Sequence, residues 1–151
     1  MAVETDEDLQ TLIEVVRQSA VAYIRGDIDA YLELIHHSDD YTLMSPLGGP
    51  VVRGFDSSPQ ALQITRQMFR SGEASVDIEQ CYQSGDLAVL VAVERQHGEV
   101  GELPDQDWSL RITLVFRRTP SGWELVHRHA DPLVHPIGIG HLAELSRGAP
   151  G

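Results

Sequence analysis

The sequence predicts an α+β domain in which helices come first, a mostly antiparallel sheet follows, and the helices lie against one face of a curved sheet. Three observations carry this. In three stripes, Leu9 to Ile24, Ile28 to Ile35 and Ala61 to Phe69, the apolar residues recur at spacings of three and four, the helical period. From Ala74 onward the period changes to two, the pleat of a strand. Turn compositions, Ser84-Gly85-Asp86 and Pro120-Ser121-Gly122, separate the alternating runs.

At 151 residues the chain fits one domain, with a core expected over about 5–133 and a short C-terminal segment at 134–151. With 23 acidic against 11 basic residues the formal charge is -12, which argues against nucleic acid and anionic membranes, because neutralising phosphates needs clustered Lys and Arg. A single cysteine, Cys81, leaves no internal disulfide framework and fits a reducing compartment, with the cytoplasm as the expectation. The acidic start MAVETDEDL does not resemble a signal peptide, and no apolar run approaches the roughly 18 residues of a spanning helix, so a soluble, unprocessed protein is expected.

Taken in order, Thr5 and Asp8 resemble a capping box that starts a first helix, with Leu9, Leu12, Ile13, Val16, Ala20, Tyr23 and Ile24 on its stripe. Gly26 stops it, and Asp27 caps a second helix carrying Ile28, Tyr31, Leu32 and Ile35. His36 to Asp40 reads as a polar loop with solvated histidines. Tyr41, Leu43 and Ser45, alternating with Thr42 and Met44, form a short strand that pairs back with Val51 to Arg53 across Leu47-Gly48-Gly49-Pro50. Asp56, Ser57 or Ser58 caps a third helix with Pro59 in its first turn and Ala61, Leu62, Thr65, Met68 and Phe69 on its stripe, up to Gly72. The strands follow: Val76 to Tyr82; Leu87 to His97, apolar enough for both faces to be covered; then, after a polar loop from Gly98 to Gln106, the pair that ends at Asp131. A short segment with Leu142 and Leu145 on one side precedes a frayed Arg-Gly-Ala-Pro-Gly end.

On the penultimate strand Trp108, Leu110, Ile112, Leu114 and Phe116 alternate with Ser109, Arg111, Thr113, Val115 and Arg117. On the last, Trp123, Leu125, His127, His129 and Asp131 share one face by simple alternation, and Glu124, Val126, Arg128 and Ala130 the other. An apolar row growing into an ionisable one suggests a packed floor that opens into a polar site. Antiparallel pairing around Pro120-Ser121-Gly122 would make Arg111, Thr113, His127 and His129 neighbours, if their faces coincide. Arg111 could then bind a carboxylate or enolate oxygen, His127 or His129 could move a proton, and Asp131 could orient an imidazole. The plain alternative is that the histidines bond the backbone or a tyrosine and Arg111 pairs with an acid. As metal ligands His127, His129 and Asp131 would spread over roughly 13 Å of strand at about 3.3 Å per residue, so a strong bend would be needed and no metal site is expected. Tyr41, Ser45, Met68 and Trp108 are further candidates for a pocket lining, each with an ordinary core reading beside it. Arg95 and His97 either edge the pocket mouth or form an exposed strand end. Cys81 reads as a small buried hydrophobe.

Helix, helix at Gly26-Asp27-Ile28-Asp29, hairpin, helix, and long strands closing in Gly122-Trp123-x-x-Val126-His127-x-His129 resemble the NTF2-like superfamily, within it the SnoaL-like and DUF4440-type proteins, from about Leu9 to Leu133. The resemblance implies a cone: a bent sheet around the long first helix, a pocket at the wide end, and dimers through the outer sheet face. It implies no single function, since that fold hosts isomerases, cyclases, dehydratases and assembly domains. Aligned with ketosteroid isomerases of this superfamily, the base position before Pro46 holds Ser45 and the helical tyrosine position holds Ser19, so that arrangement of steroid isomerase chemistry is not expected. The closing Trp-x-x-Val-His-x-His also resembles the association domain of calmodulin-dependent kinase II. Two functions are therefore carried forward. One is binding of an apolar or carbonyl-bearing small molecule, with cofactor-free cyclase, isomerase or dehydratase chemistry. The other is a non-catalytic homodimeric binding or assembly domain. No phosphate-cradling glycine motif calls for an organic cofactor.

Overall fold

The computed structural model describes residues 2–148, with side chains from Glu7 onward. Helix α1 (Ala2–Ile24) is followed by α2 (Ile28–Leu34), β1 (His37–Met44), β2 (Val52–Arg53), α3 (Pro59–Met68), β3 (Phe69–Ser84), β4 (Leu87–Val100), β5 (Gln106–Asp107), β6 (Leu110–Thr119), β7 (Gly122–Asp131) and α4 (Ile139–Arg147). The strands form one curved, unclosed sheet in the order β2-β1-β7-β6-β4-β3, with β5 beside β4. All pairings are antiparallel except that of β1 with β7.

Helix α1 begins before Thr5, so the expected capping box lies inside its first turns, and the Thr5 side chain falls outside those described. At the corner, Gly26 adopts φ 74°, open to glycine at no steric cost, and Asp27 accepts the Ala30 amide at 3.2 Å to cap α2. Ser58 caps α3 with Pro59 at its first position. Two boundaries differ from expectation. The 36–40 segment is not a loop: β1 starts at His37, because the backbone there finds its partners along β7, with His37 opposite Leu125 and Leu43 opposite Arg128. Helix α3 stops at Met68, and Gly72 lies within β3.

Leu12, Ile13, Val16 and Ala20 of α1 bury against Val76, Ala88, Leu90, Ala92, Ile112, Leu114, Phe116, Leu125 and Ala130, which come from one face of the sheet. Phe116, Leu90, Val16 and Ile24 lose almost all exposure. The helix lies close enough to the sheet that a Cβ at Gly72 would stand 2.6 Å from Ile24 Cγ1 and 2.6 Å from the His97 carbonyl oxygen. The opposite row of β4, Val89, Val91 and Val93, is half-exposed rather than covered on both faces as its composition suggested. Among the described residues no helix is long and apolar enough to cross a membrane.

Gly72→Ala is accordingly expected to lose about 1–3 kcal/mol of unfolding free energy, since a core without room must shift to admit even one methyl group. Chemical denaturation of the two proteins measures it.

Candidate functional site

The geometry of the site turns on one residue of β7. Phe116 pairs with Leu125, but Val115 pairs with His127, so Val126 is an extra residue in the ladder, a β-bulge. Because side chains alternate with a period of two, one inserted residue exchanges the two faces from there on. Before the bulge Trp123 and Leu125 face the helices. After it Arg128 and Ala130 do, in register with Leu114 and Ile112. His127, His129 and Asp131, expected to continue the Trp123 and Leu125 row, lie on the outer face instead.

On that outer face the expected neighbours do come together: Thr113 lies opposite His129, and Arg111 opposite Asp131. Arg111 donates two hydrogen bonds to Asp131 at 2.8 and 2.9 Å, which holds the Asp131 carboxyl below the usual carboxylate range. The acid thus orients no imidazole. His127 Nδ1 bonds Thr42 Oγ1 at 2.8 Å, with the His129 ring 6.4 Å away. Val89, Val91, Val93 and Val115 surround this row with half-exposed apolar surface.

The inner face carries the polar group that sequence reasoning passed over. Glu94 is 6% exposed, and its carboxylate accepts both terminal nitrogens of Arg128 at 2.8 and 2.9 Å. Burial disfavours the Arg128 cation, but the Glu94 charge outweighs that, and the guanidinium pKa is raised. Three phenols lie near enough to feel this charge. Burial holds the Tyr31 hydroxyl well above its ordinary value and pushes Tyr41 to about 12, and Tyr23 is raised for the same reason, while Arg128 opposes the rise in each. The three phenols are therefore neutral donors. Around them Tyr23 packs edge-on against Tyr31 and Phe69 at 5.1 and 4.9 Å. His37 stacks on Phe55 at 3.8 Å, meets the edge of Tyr41 at 4.7 Å and shares a hydrogen bond with the Tyr31 hydroxyl at 3.1 Å. It is caged rather than solvated, and burial, with His36 beside it, lowers its pKa to about 4.

Of the further lining candidates, only Tyr41 joins this inner site. Ser45 accepts the Leu47 amide at 3.2 Å and shapes a turn. Met68 is 42% exposed and lies with Ile64, Gln67 and Arg70 along a surface groove. Trp108 bonds the Gly98 carbonyl at 3.0 Å, holding the start of β6 to β4. Ser19 is buried and donates to the Val16 carbonyl of its own helix at 2.7 Å. His97 is an exposed strand end bonded to Asp105 at 2.9 Å and Glu73 at 3.3 Å, with Arg95 on Asp77 at 3.0 Å. Cys81 packs at the edge of the core, where burial raises its thiol. A signal for Glu94 and Arg128 was present: an acid that directly follows the apolar run Leu87 to Val93 and continues its inward alternation with Leu90 and Ala92, and a base on β7, two strands away in the sheet.

A long helix held in a curved, unclosed sheet is the fold of solved NTF2-like structures. Residues 12–134 match the SnoaL-like domain, and the chain belongs to that family. Among solved structures it is similar to a proposed dehydratase of the NTF2-like family from Streptomyces avermitilis, with TM-score 0.67 and 23% identity over 86% of this chain and 99% of that one. It is also similar to an NTF2-like superfamily protein from Salmonella enterica serovar Typhimurium, with TM-score 0.70 and 17% identity over 90% and 97%. A third is the S. rosetta CaMKII hub, with TM-score 0.55 and 19% identity over 84% and 92%. No curated protein matches the chain.

The lowered pKa of His37 fixes a pH dependence. Its folded value of about 4 lies below the unfolded value near 6.5, so the unfolded state binds the proton first and stability falls as pH drops from about 6.5 towards 4. Thermal melts across this range are expected to lose less midpoint in His37→Phe than in the wild type.

Proposed function

We propose that this SnoaL-like protein binds an uncharged, largely apolar, carbonyl-bearing small molecule on its inner face, against Arg128 and Glu94. The supporting observation is the ion pair itself. The Arg128 side chain keeps 23% of its exposure, with the rings of Tyr23, Tyr31 and Tyr41 nearby. An apolar wall with a few convergent polar groups is how small-molecule sites are built. The pair is electroneutral and the chain carries -12, so an added carboxylate would meet Glu94 and the overall field without a spare cation to hold it. A neutral ketone or enone meets no such opposition. Its oxygen can accept from Arg128 or a neutral phenol while Glu94 accepts a proton from the adjacent carbon, the electron pair moving into the oxygen. This is cofactor-free acid-base chemistry of the isomerase, cyclase or dehydratase kind, carried out by one domain in the cytoplasm.

A second reading, association into a homodimer through the outer sheet face, is favoured by the half-exposed row Val89, Val91, Val93 and Val115 around Thr113, His127 and His129. Arg111 and Asp131, paired with each other at its edge, then belong to the rim of an interface rather than to catalysis.

A thermal-shift screen tests the first reading. A ligand that binds only the folded state adds about 2.7 kcal/mol at a hundredfold excess over its dissociation constant. Neutral ketones, steroids and aromatic polyketides are expected to raise the midpoint, and small carboxylates are not. The shift should vanish in the Glu94→Leu/Arg128→Met double variant and survive in His127→Ala. A shift that persists in the double variant contradicts the proposed site.

A further inference from the structure

We propose that His127 and His129 are half of a transition-metal site that a second copy of the chain completes with the same two side chains; the proposal rests on the outer-face association described above. Two imidazoles at positions i and i+2 of a strand share a face, and here nothing else in the chain uses the second ring nitrogen of His127 or either nitrogen of His129 among the hydrogen bonds of the described residues. Thr42 Oγ1 lies 2.8 Å from His127 Nδ1. When Nδ1–H donates to that oxygen, the lone pair stays on Nε2, the tautomer a metal requires, and the ring is held in orientation as outer partners of histidine ligands do.

Two imidazoles on one tetrahedral zinc, with Zn–N about 2.0 Å, have ring centres about 5 Å apart. The observed 6.4 Å is close to that, and His129, the more exposed of the two, can close the gap by side-chain rotation. Asp131 is not available as a third ligand, since Arg111 holds both its oxygens. Among the described residues no three His, Cys, Asp or Glu side chains of one chain stand together to hold a metal. The set is therefore complete only across a two-fold axis, where an isologous contact brings the same patch of both copies together and supplies four imidazoles. Imidazole suits zinc, copper and nickel, and the -12 charge of the chain favours a cation as guest.

Zinc alone is the probe. Titration calorimetry of the EDTA-stripped protein is expected to give one zinc per two chains, and sedimentation to give a dimer that zinc tightens at least tenfold. His129→Ala should lose the zinc binding, and Thr42→Val should weaken it about 10- to 100-fold without altering the metal-free dimer. One zinc per chain with no change in mass would overturn the shared site. A dimer in EDTA that binds no zinc, and that Val91→Glu dissociates, would overturn the metal site and leave the outer-face association standing. A monomer with and without zinc would overturn both.

Discussion

The bulge at Val126 decides which chemistry of β7 meets the helices and which meets solvent, because every side chain beyond it is displaced to the other face. Without it the last strand would carry Trp123, Leu125, His127 and His129 into the concavity and place Arg128 outside. With it the same ten residues serve two surfaces: Trp123 and Leu125, then Arg128 and Ala130, look inward, and His127, His129 and Asp131 outward. The parallel partner β1 fits this phase. Leu43 stands beside Arg128, and Thr42 beside His127, which it bonds.

Arg128 stays charged, so its place on the inner face would be costly without a partner. Taking a guanidinium out of water costs several kcal/mol, and only a carboxylate in good geometry compensates. Glu94 supplies it from β4, whose preceding inward residues, Ala88, Leu90 and Ala92, are apolar and buried. Pairs of this kind are rarely the most stable solution, since apolar residues of similar size often do as well. This pair lies near three neutral phenols, Tyr23, Tyr31 and Tyr41, of which Tyr31 and Tyr41 in turn touch the caged His37.

What the sequence made legible was local. The Gly26-Asp27 corner, the hairpin of Leu43 with Val52, the Ser58 cap and the apolar row Ile112, Leu114 and Phe116 depend on neighbours a few residues away, and the structure has them where composition and period put them. The pairing of Thr113 with His129, expected from a turn centred on Ser121, arises instead from the bulge: Thr119 pairs with Gly122, a register that without the extra Val126 would set Thr113 opposite Arg128. The face of His127 was not legible, since nothing within β7 marks Val126 as an extra residue; the bulge belongs to a ladder shared with β6. His37 was misplaced for a similar reason: its cage is assembled from α2, β1 and the segment holding Phe55, and the local polarity of 36–40 gives no sign of it. Arg128 and Glu94 went unread because a charge in a strand is ordinarily given to solvent, and their partnership spans 34 positions.

The central claim is that Glu94 and Arg128 form one coupled, desolvated unit on the inner face. A double-mutant cycle with Glu94→Leu, Arg128→Met and the double variant tests it most directly, by unfolding free energy. Each single change leaves a buried charge unpaired and should lose about 3–5 kcal/mol, while the double variant loses far less than the sum. Losses that add to within about 0.5 kcal/mol, the behaviour of independent sites, would contradict the account.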